Sequence, residues 1–187
     1  MSRLNEILEF NQKFVEDETY LSYETDKYPN KRMVIVTCMD TRLIELLPKA
    51  MNIKNGDAKI IKIAGALITE PYGSVMRSLL VAISLLNAEE VYIVGHHHCG
   101  MIGLHTEQIV EALALKGVSR ENVDQLEKTE YVDLQNWLTG ANSVEEAVKK
   151  SISMIQSHPL FPRSIPIHGL AIDPHTGKLD LLVDGQK

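Results

Sequence analysis

What this chain has little of narrows the reading before any motif is considered. Two cysteines in 187 residues are too few for a disulfide framework, which points to a reducing, cytoplasmic setting. No apolar run approaches the roughly 18 residues that a membrane span needs. The amino terminus, MSRLNEILEFNQKFVEDE, is amphipathic and mixed in charge, without the cationic start and unbroken apolar stretch of a signal peptide. A formal charge of −6, with Lys and Arg scattered among acids, leaves no basic stripe to neutralise phosphates, so no nucleic-acid partner is expected. The most basic cluster, KYPNKR at Lys27–Arg32, reads as a solvated turn ahead of a strand. No internal repeat or low-complexity linker divides the chain, and a hydrophobic content of 44% is enough to close one core. The expectation is a single domain over residues 1–187, with an N-terminal helical arm over 1–30 and an α/β core over 31–187.

The apolar residues that are present alternate between two periods. Strand-like runs occur at Met33–Cys38, Ala58–Ile63, Val91–Gly95, Ile165–Ile172 and Leu179–Val183,. Between them, Pro71 starts a helical stretch, Tyr72–Leu86, with Val75, Met76, Leu79, Leu80, Ile83 and Leu86 at three- and four-residue steps,. Ser143 and Glu146 have capping-box spacing ahead of Val144, Ala147, Val148, Ile152 and Ile155,. The region from Ile102 to Gly140 has a helical period with little punctuation and is read as several helices. Strands alternating with helices predict an α/β fold, a mainly parallel sheet flanked by helices. The linker DPHTGK between the last two strands is short enough for a hairpin, so the C-terminal edge strand should run antiparallel.

In open sheets of this kind, ligands bind beyond the carboxyl ends of the parallel strands. Two such ends carry unusual chemistry. The first strand runs into Cys38, Asp40 and Arg42, and the third runs through VYIVG into HHHC at His96–Cys99. Were those strands neighbours, both cysteines would reach one edge of the sheet beside a histidine run. Two thiolates and an imidazole suit zinc, and three protein ligands leave the fourth position open, as at catalytic zinc sites. Spacing favours His96 as the nitrogen donor without deciding it against His97 or His98. Asp40 and Arg42 read as a carboxylate held by a guanidinium fork, placed to orient a zinc-bound water or to occupy the open position. His105, His158, His168 and His175 are read as ordinary surface or core histidines.

The combination CMDTR at Cys38–Arg42 with HHHC at His96–Cys99 resembles the Cys-x-Asp-Ser-Arg and His-x-x-Cys motifs of the beta-class carbonic anhydrases. The likeness extends through IAGALITEPYGSVMRSLL, HPLFP and GLAIDPHTGKLDLLV, covering about Met33 to Asp184. It implies zinc held by Cys38, His96 and Cys99, with Asp40 and Arg42 as the catalytic dyad. It also implies a homodimer or larger homo-oligomer with active sites near the subunit interface and amino-terminal helices embracing the partner. Leu4–Phe14 fits that role and equally fits packing on its own subunit. Thr41 stands where the family usually has serine, and Ile63 where asparagine is common, which removes a polar group near the site.

The implied activity is reversible hydration of CO₂ to bicarbonate and a proton, with backbone N–H groups near Gly65 and the Arg42 charge helping as negative charge develops. His97 or His98 is a candidate proton shuttle. The alternatives are a related zinc hydrolase of carbonyl sulfide or carbon disulfide, and a non-catalytic zinc-binding protein. A thiol phosphatase needs a longer loop than the three residues between Cys38 and Arg42. A zinc deaminase lacks its His-x-Glu and Cys-x-x-Cys pairing, and a dinucleotide-binding enzyme lacks Gly-x-Gly-x-x-Gly after the first strand.

Overall fold

The strands β1 (Met33–Cys38), β2 (Ala58–Ile63), β3 (Glu90–His96), β4 (Ile167–Ile172) and β5 (Leu179–Val183) form one sheet in the order β2-β1-β3-β4-β5. The computed structural model describes residues 2–129 and 132–186. Neighbours among the first four strands are parallel, and β5 returns antiparallel to β4, as the hairpin linker predicted. The register sets Thr37 of β1 against Val94 of β3, so the carboxyl ends of these two central strands open at the same edge.

Helices cover both faces. Val34, Val36, Val91 and Ile93 pack with Met76 and Leu79 of α3 (Ser74–Leu85) and with Val148, Ile152 and Ile155 of α7 (Val144–Ser157). A second cluster joins Ile35 and Val94 to Leu43 and Leu47 of α2 (Leu43–Ala50). Each fully buried side chain of this size contributes about 1.5–3 kcal/mol relative to exposure. Helix α7 lies close on the sheet because Gly95 and Gly169 face it. A Cβ at either would come within 2.8 Å of Val144 Cγ1 or 2.7 Å of Val148 Cγ1, respectively.

Several boundaries differ from expectation for identifiable reasons. Helix α3 begins at Ser74, because Gly73 adopts extended backbone (φ −79°, ψ 175°) and Pro71 and Tyr72 form the preceding turn. Strand β4 starts at Ile167, since Pro166 has no N–H for the ladder,. At the start of α7 only half of the capping box forms: Ser143 Oγ accepts from the Glu146 N–H, while the Glu146 carboxylate accepts from the Asn142 N–H. Helix α2 was not anticipated.

The remaining α-helices are α1 (Arg3–Glu16), α4 (Thr106–Ala114), α5 (Arg120–Lys128) and α6 (Leu134–Leu138). The last three gather around Val110, Val123 and Leu134. No residue of α1 is buried; Phe14 near its C-terminal end is half-buried, with its ring 6.2 Å from that of Tyr23. No helix among the described residues is long and apolar enough to cross a membrane.

Candidate metal centre

Adjacency of β1 and β3 brings together what the sequence separates by about sixty positions. The Cys38 and Cys99 sulfurs are 3.9 Å apart, and with a ring nitrogen of His96 they lie within 4.8 Å of one another. His96 is 1% exposed. Its Nδ1 donates to the carbonyl oxygen of His97 at 2.8 Å, which assigns the ring proton to Nδ1 and leaves Nε2 with a lone pair. That Nε2 is buried without a partner in hydrogen-bond geometry, 3.7 Å from Asp40 Oδ2. Among the described residues, His96 is the histidine grouped with the two thiols. His97 turns to Asp180, at 3.5 Å, and the His98 ring packs edge-on to His175 with centroids 6.0 Å apart.

The two thiols do not titrate alike. Cys38 is held well below an ordinary thiol, chiefly by a hydrogen bond from Cys99 and further by His96 and the backbone N–H groups of Asp40 and Gly65. Cys99 is pushed up, chiefly by donating its thiol hydrogen bond to Cys38 and then by burial, which the Met101 N–H partly offsets. The His96 imidazole is raised by the adjacent Cys38 thiolate. A buried pair of sulfurs that cannot both carry charge unaided is the environment a cation relieves.

Asp40 sits beside this group. Arg42 grips it through Nε to Oδ1 at 3.0 Å and Nη2 to Oδ2 at 2.7 Å, and the Arg42 backbone N–H donates to Oδ1 at 2.9 Å. These bonds hold the Asp40 carboxyl well below the usual carboxylate range. Arg42 Nη2 also reaches the carbonyl oxygen of His98 at 3.3 Å, tying the carboxylate to the loop that carries Cys99. A cavity of about 500 Å³ opens here, bounded by Met39, Thr41, Gly65 and Met101 around the titratable groups.

A carbonic anhydrase family model matches residues 33–179. The Bacillus subtilis (strain 168) protein YtiB, which carries the words carbonic anhydrase in its name, is 53% identical over 185 residues, 99% of this chain and 98% of its own length. The crystal structure of beta-carbonic anhydrase isoform I from Trichomonas vaginalis superposes with a TM-score of 0.89 at 35% identity, covering 99% of this chain and 100% of that one. The chain belongs to the beta-class carbonic anhydrase family. A protein named carbon disulfide hydrolase from Acidithiobacillus thiooxidans is also similar, 30% identical over 157 residues, 80% of this chain and 76% of its own length.

Within this beta-carbonic-anhydrase fold, Ile63 supplies no side-chain hydrogen bond. It packs into the core beneath α3 and α7, and its carbonyl accepts the Met39 N–H at 2.8 Å. Sequence reasoning did not single out Ser151. This fully buried residue of α7 donates from Oγ to the carbonyl of Ala66 and accepts from the N–H of Ile68, both at 2.9 Å. The available signal was a lone hydroxyl inside the apolar stripe formed by Ala147, Val148, Ile152 and Ile155.

Proposed function

We propose that this protein catalyses the reversible hydration of CO₂ to bicarbonate and a proton, with zinc held by Cys38, His96 and Cys99. The observation that carries the reading is the convergence of two buried sulfurs and an unpartnered imidazole nitrogen beside the Asp40–Arg42 pair. The donor set fits the ion. Two thiolates each about 2.3 Å from a tetrahedral zinc would stand about 3.8 Å apart, against 3.9 Å between these sulfurs. When bound, zinc supplies Lewis acidity that makes a coordinated water nucleophilic near neutral pH.

The chain's own groups supply the rest. Asp40, kept ionised by Arg42, accepts a hydrogen bond from the attacking water and turns its lone pair toward carbon. As water adds to CO₂, one proton leaves to solvent or buffer and the negative charge forms on bicarbonate. Arg42 and the Gly65 N–H, both at the cavity, offset that charge. The functional unit is a homo-oligomer, at least a dimer, and its place is the cytoplasm, where both thiols stay reduced.

Stopped-flow CO₂ hydration on protein of measured zinc content, beside Cys99→Ala, tests this reading. About one zinc per chain is expected by the three-ligand argument, with hydration lost in the variant. Full zinc occupancy without hydration would overturn it. Carbon disulfide tested in the same preparation separates the sulfur-substrate reading, which the similarity to carbon disulfide hydrolase motivates. Zinc without turnover of either molecule would leave a binding protein.

A further inference from the structure

The floor of the metal cavity is a short stretch of backbone in a costly conformation. Gly65 and Ala66 are consecutive residues with positive φ, 65° and 55°. Glycine adopts this region freely, but alanine does so at a cost. Ala66 is fully buried, so its strain must be held by the surroundings. Its carbonyl accepts the Ser151 hydroxyl, and Ser151 Oγ in turn accepts the Ile68 N–H, each at 2.9 Å. One side chain of α7 thus ties down the C-terminal side of the turn at two points. From the opposite side the Met101 side chain closes on Gly65, leaving 2.8 Å between Met101 Cβ and the place a Cβ of residue 65 would take. The turn therefore lies between the Met101 side chain and the Ser151 hydroxyl. Gly65 lines the cavity together with Cys38 and Cys99.

We propose that Ser151 is a positioning residue of the metal centre: it holds the left-handed Gly65–Ala66 turn in place, and that turn forms the wall of the cavity at Gly65, beside Cys38 and Cys99. The inference rests on the Cys-His-Cys zinc reading above and extends it to a residue that touches neither metal nor substrate. Ser151 acts through the backbone, as supporting groups behind metal ligands commonly do.

The test uses the full chain carrying Ser151→Ala, with native packing verified by the near-ultraviolet circular dichroism of Trp137. Zinc affinity is read by competition with a chromogenic chelator, and the thiolate environment by the charge-transfer absorption of the cobalt-substituted protein. Ser151→Ala should weaken zinc binding about 10- to 100-fold, the usual cost of losing an outer-shell support, and shift the thiolate-to-cobalt band. Adding Ala66→Gly, which lets residue 66 adopt positive φ without being held, should restore most of the affinity and the band. Unchanged affinity and spectrum in Ser151→Ala, even with lower stability of the metal-free form, would reduce Ser151 to a core hydrogen bond and overturn the proposal. Failure of Ala66→Gly to restore binding would do the same. Neither readout involves CO₂, so a wild type that binds zinc without hydrating CO₂ overturns the functional reading alone.

Discussion

Asp40 lies at the rim of the three side chains proposed to hold zinc, Cys38, His96 and Cys99, where protonation would turn an acceptor into a neutral donor. Arg42 prevents this by occupying both carboxylate oxygens. Asp40→Asn keeps the shape, removes the charge and one acceptor, and should lower kcat/KM for CO₂ by about 100-fold or more, the scale of lost acid–base positioning. Zinc content should be unchanged. A depressed folded pKa means that the paired state is present above the unfolded value, about 3.9, and is lost only as pH falls through the lower folded value,. In Arg42→Ala that loss should move up toward the ordinary carboxylate range. The carboxyl carbon shift of Asp40 followed by NMR across acid pH checks the direction; coincident titrations in the two proteins would show that Arg42 does not hold the charge. These residues were legible in the sequence because sulfur, imidazole, carboxylate and guanidinium have few reasons to gather at strand ends. Ser151 was not, since a serine's role depends on which backbone a distant turn brings to it, 83 and 85 residues away in the chain.

Strands are held in register by what they carry across to their neighbours, and β3 and β4 show this away from the metal. Tyr92 and His168 are register partners, their rings stack at 4.8 Å, and the Tyr92 hydroxyl donates to Glu90 Oε2 at 2.6 Å. Burial and the Glu90 carboxylate keep this phenol neutral to higher pH than an ordinary tyrosine. A raised folded pKa means that its contribution is complete below the unfolded value, about 10, and is lost as pH rises through the folded one. Tyr92→Phe should therefore be less stable than wild type by about 1 kcal/mol at pH 8, with the gap closing above pH 10 as wild type loses what the variant never had. Urea unfolding at pH 8, 10 and 11 measures this, and a constant gap would refute it. At this scale all five strands were readable, because each is a short apolar run bounded by polar or turn residues. The helices were less so. Pro48 obscured α2, whose buried face is carried by Leu43 and Leu47 at a four-residue step, and the extended conformation of Gly73 placed the start of α3 later than Pro71 suggested.

The molecule as a whole presents a helix, α1, none of whose described residues is buried and whose Phe14 ring lies 6.2 Å from that of Tyr23. Along α1, Leu4, Ile7, Leu8 and Phe10 are 63%, 59%, 58% and 71% exposed, at the three- and four-residue steps that mark one face. Propensity alone does not sustain a short isolated helix in water; an amphipathic face needs a surface to cover it. The sequence showed the amphipathic pattern but not how exposed that face stays within the subunit, because burial is a property of the packed chain. The family resemblance names a second copy as the covering surface, and edge strand β2 also exposes Ile60. A stable interface needs about 800 Å² from each partner, more than scattered apolar residues supply and within reach of an apolar helix face joined to adjoining surface. Deleting residues 1–17 should therefore shift the protein to monomer in sedimentation equilibrium at micromolar concentration, while Phe10→Glu, which keeps the chain length, should weaken association by placing a charge on the face. If both variants keep the wild-type mass, α1 is not what joins the subunits. A monomer that retains its zinc but hydrates CO₂ more slowly would locate part of the reaction's requirements across the interface.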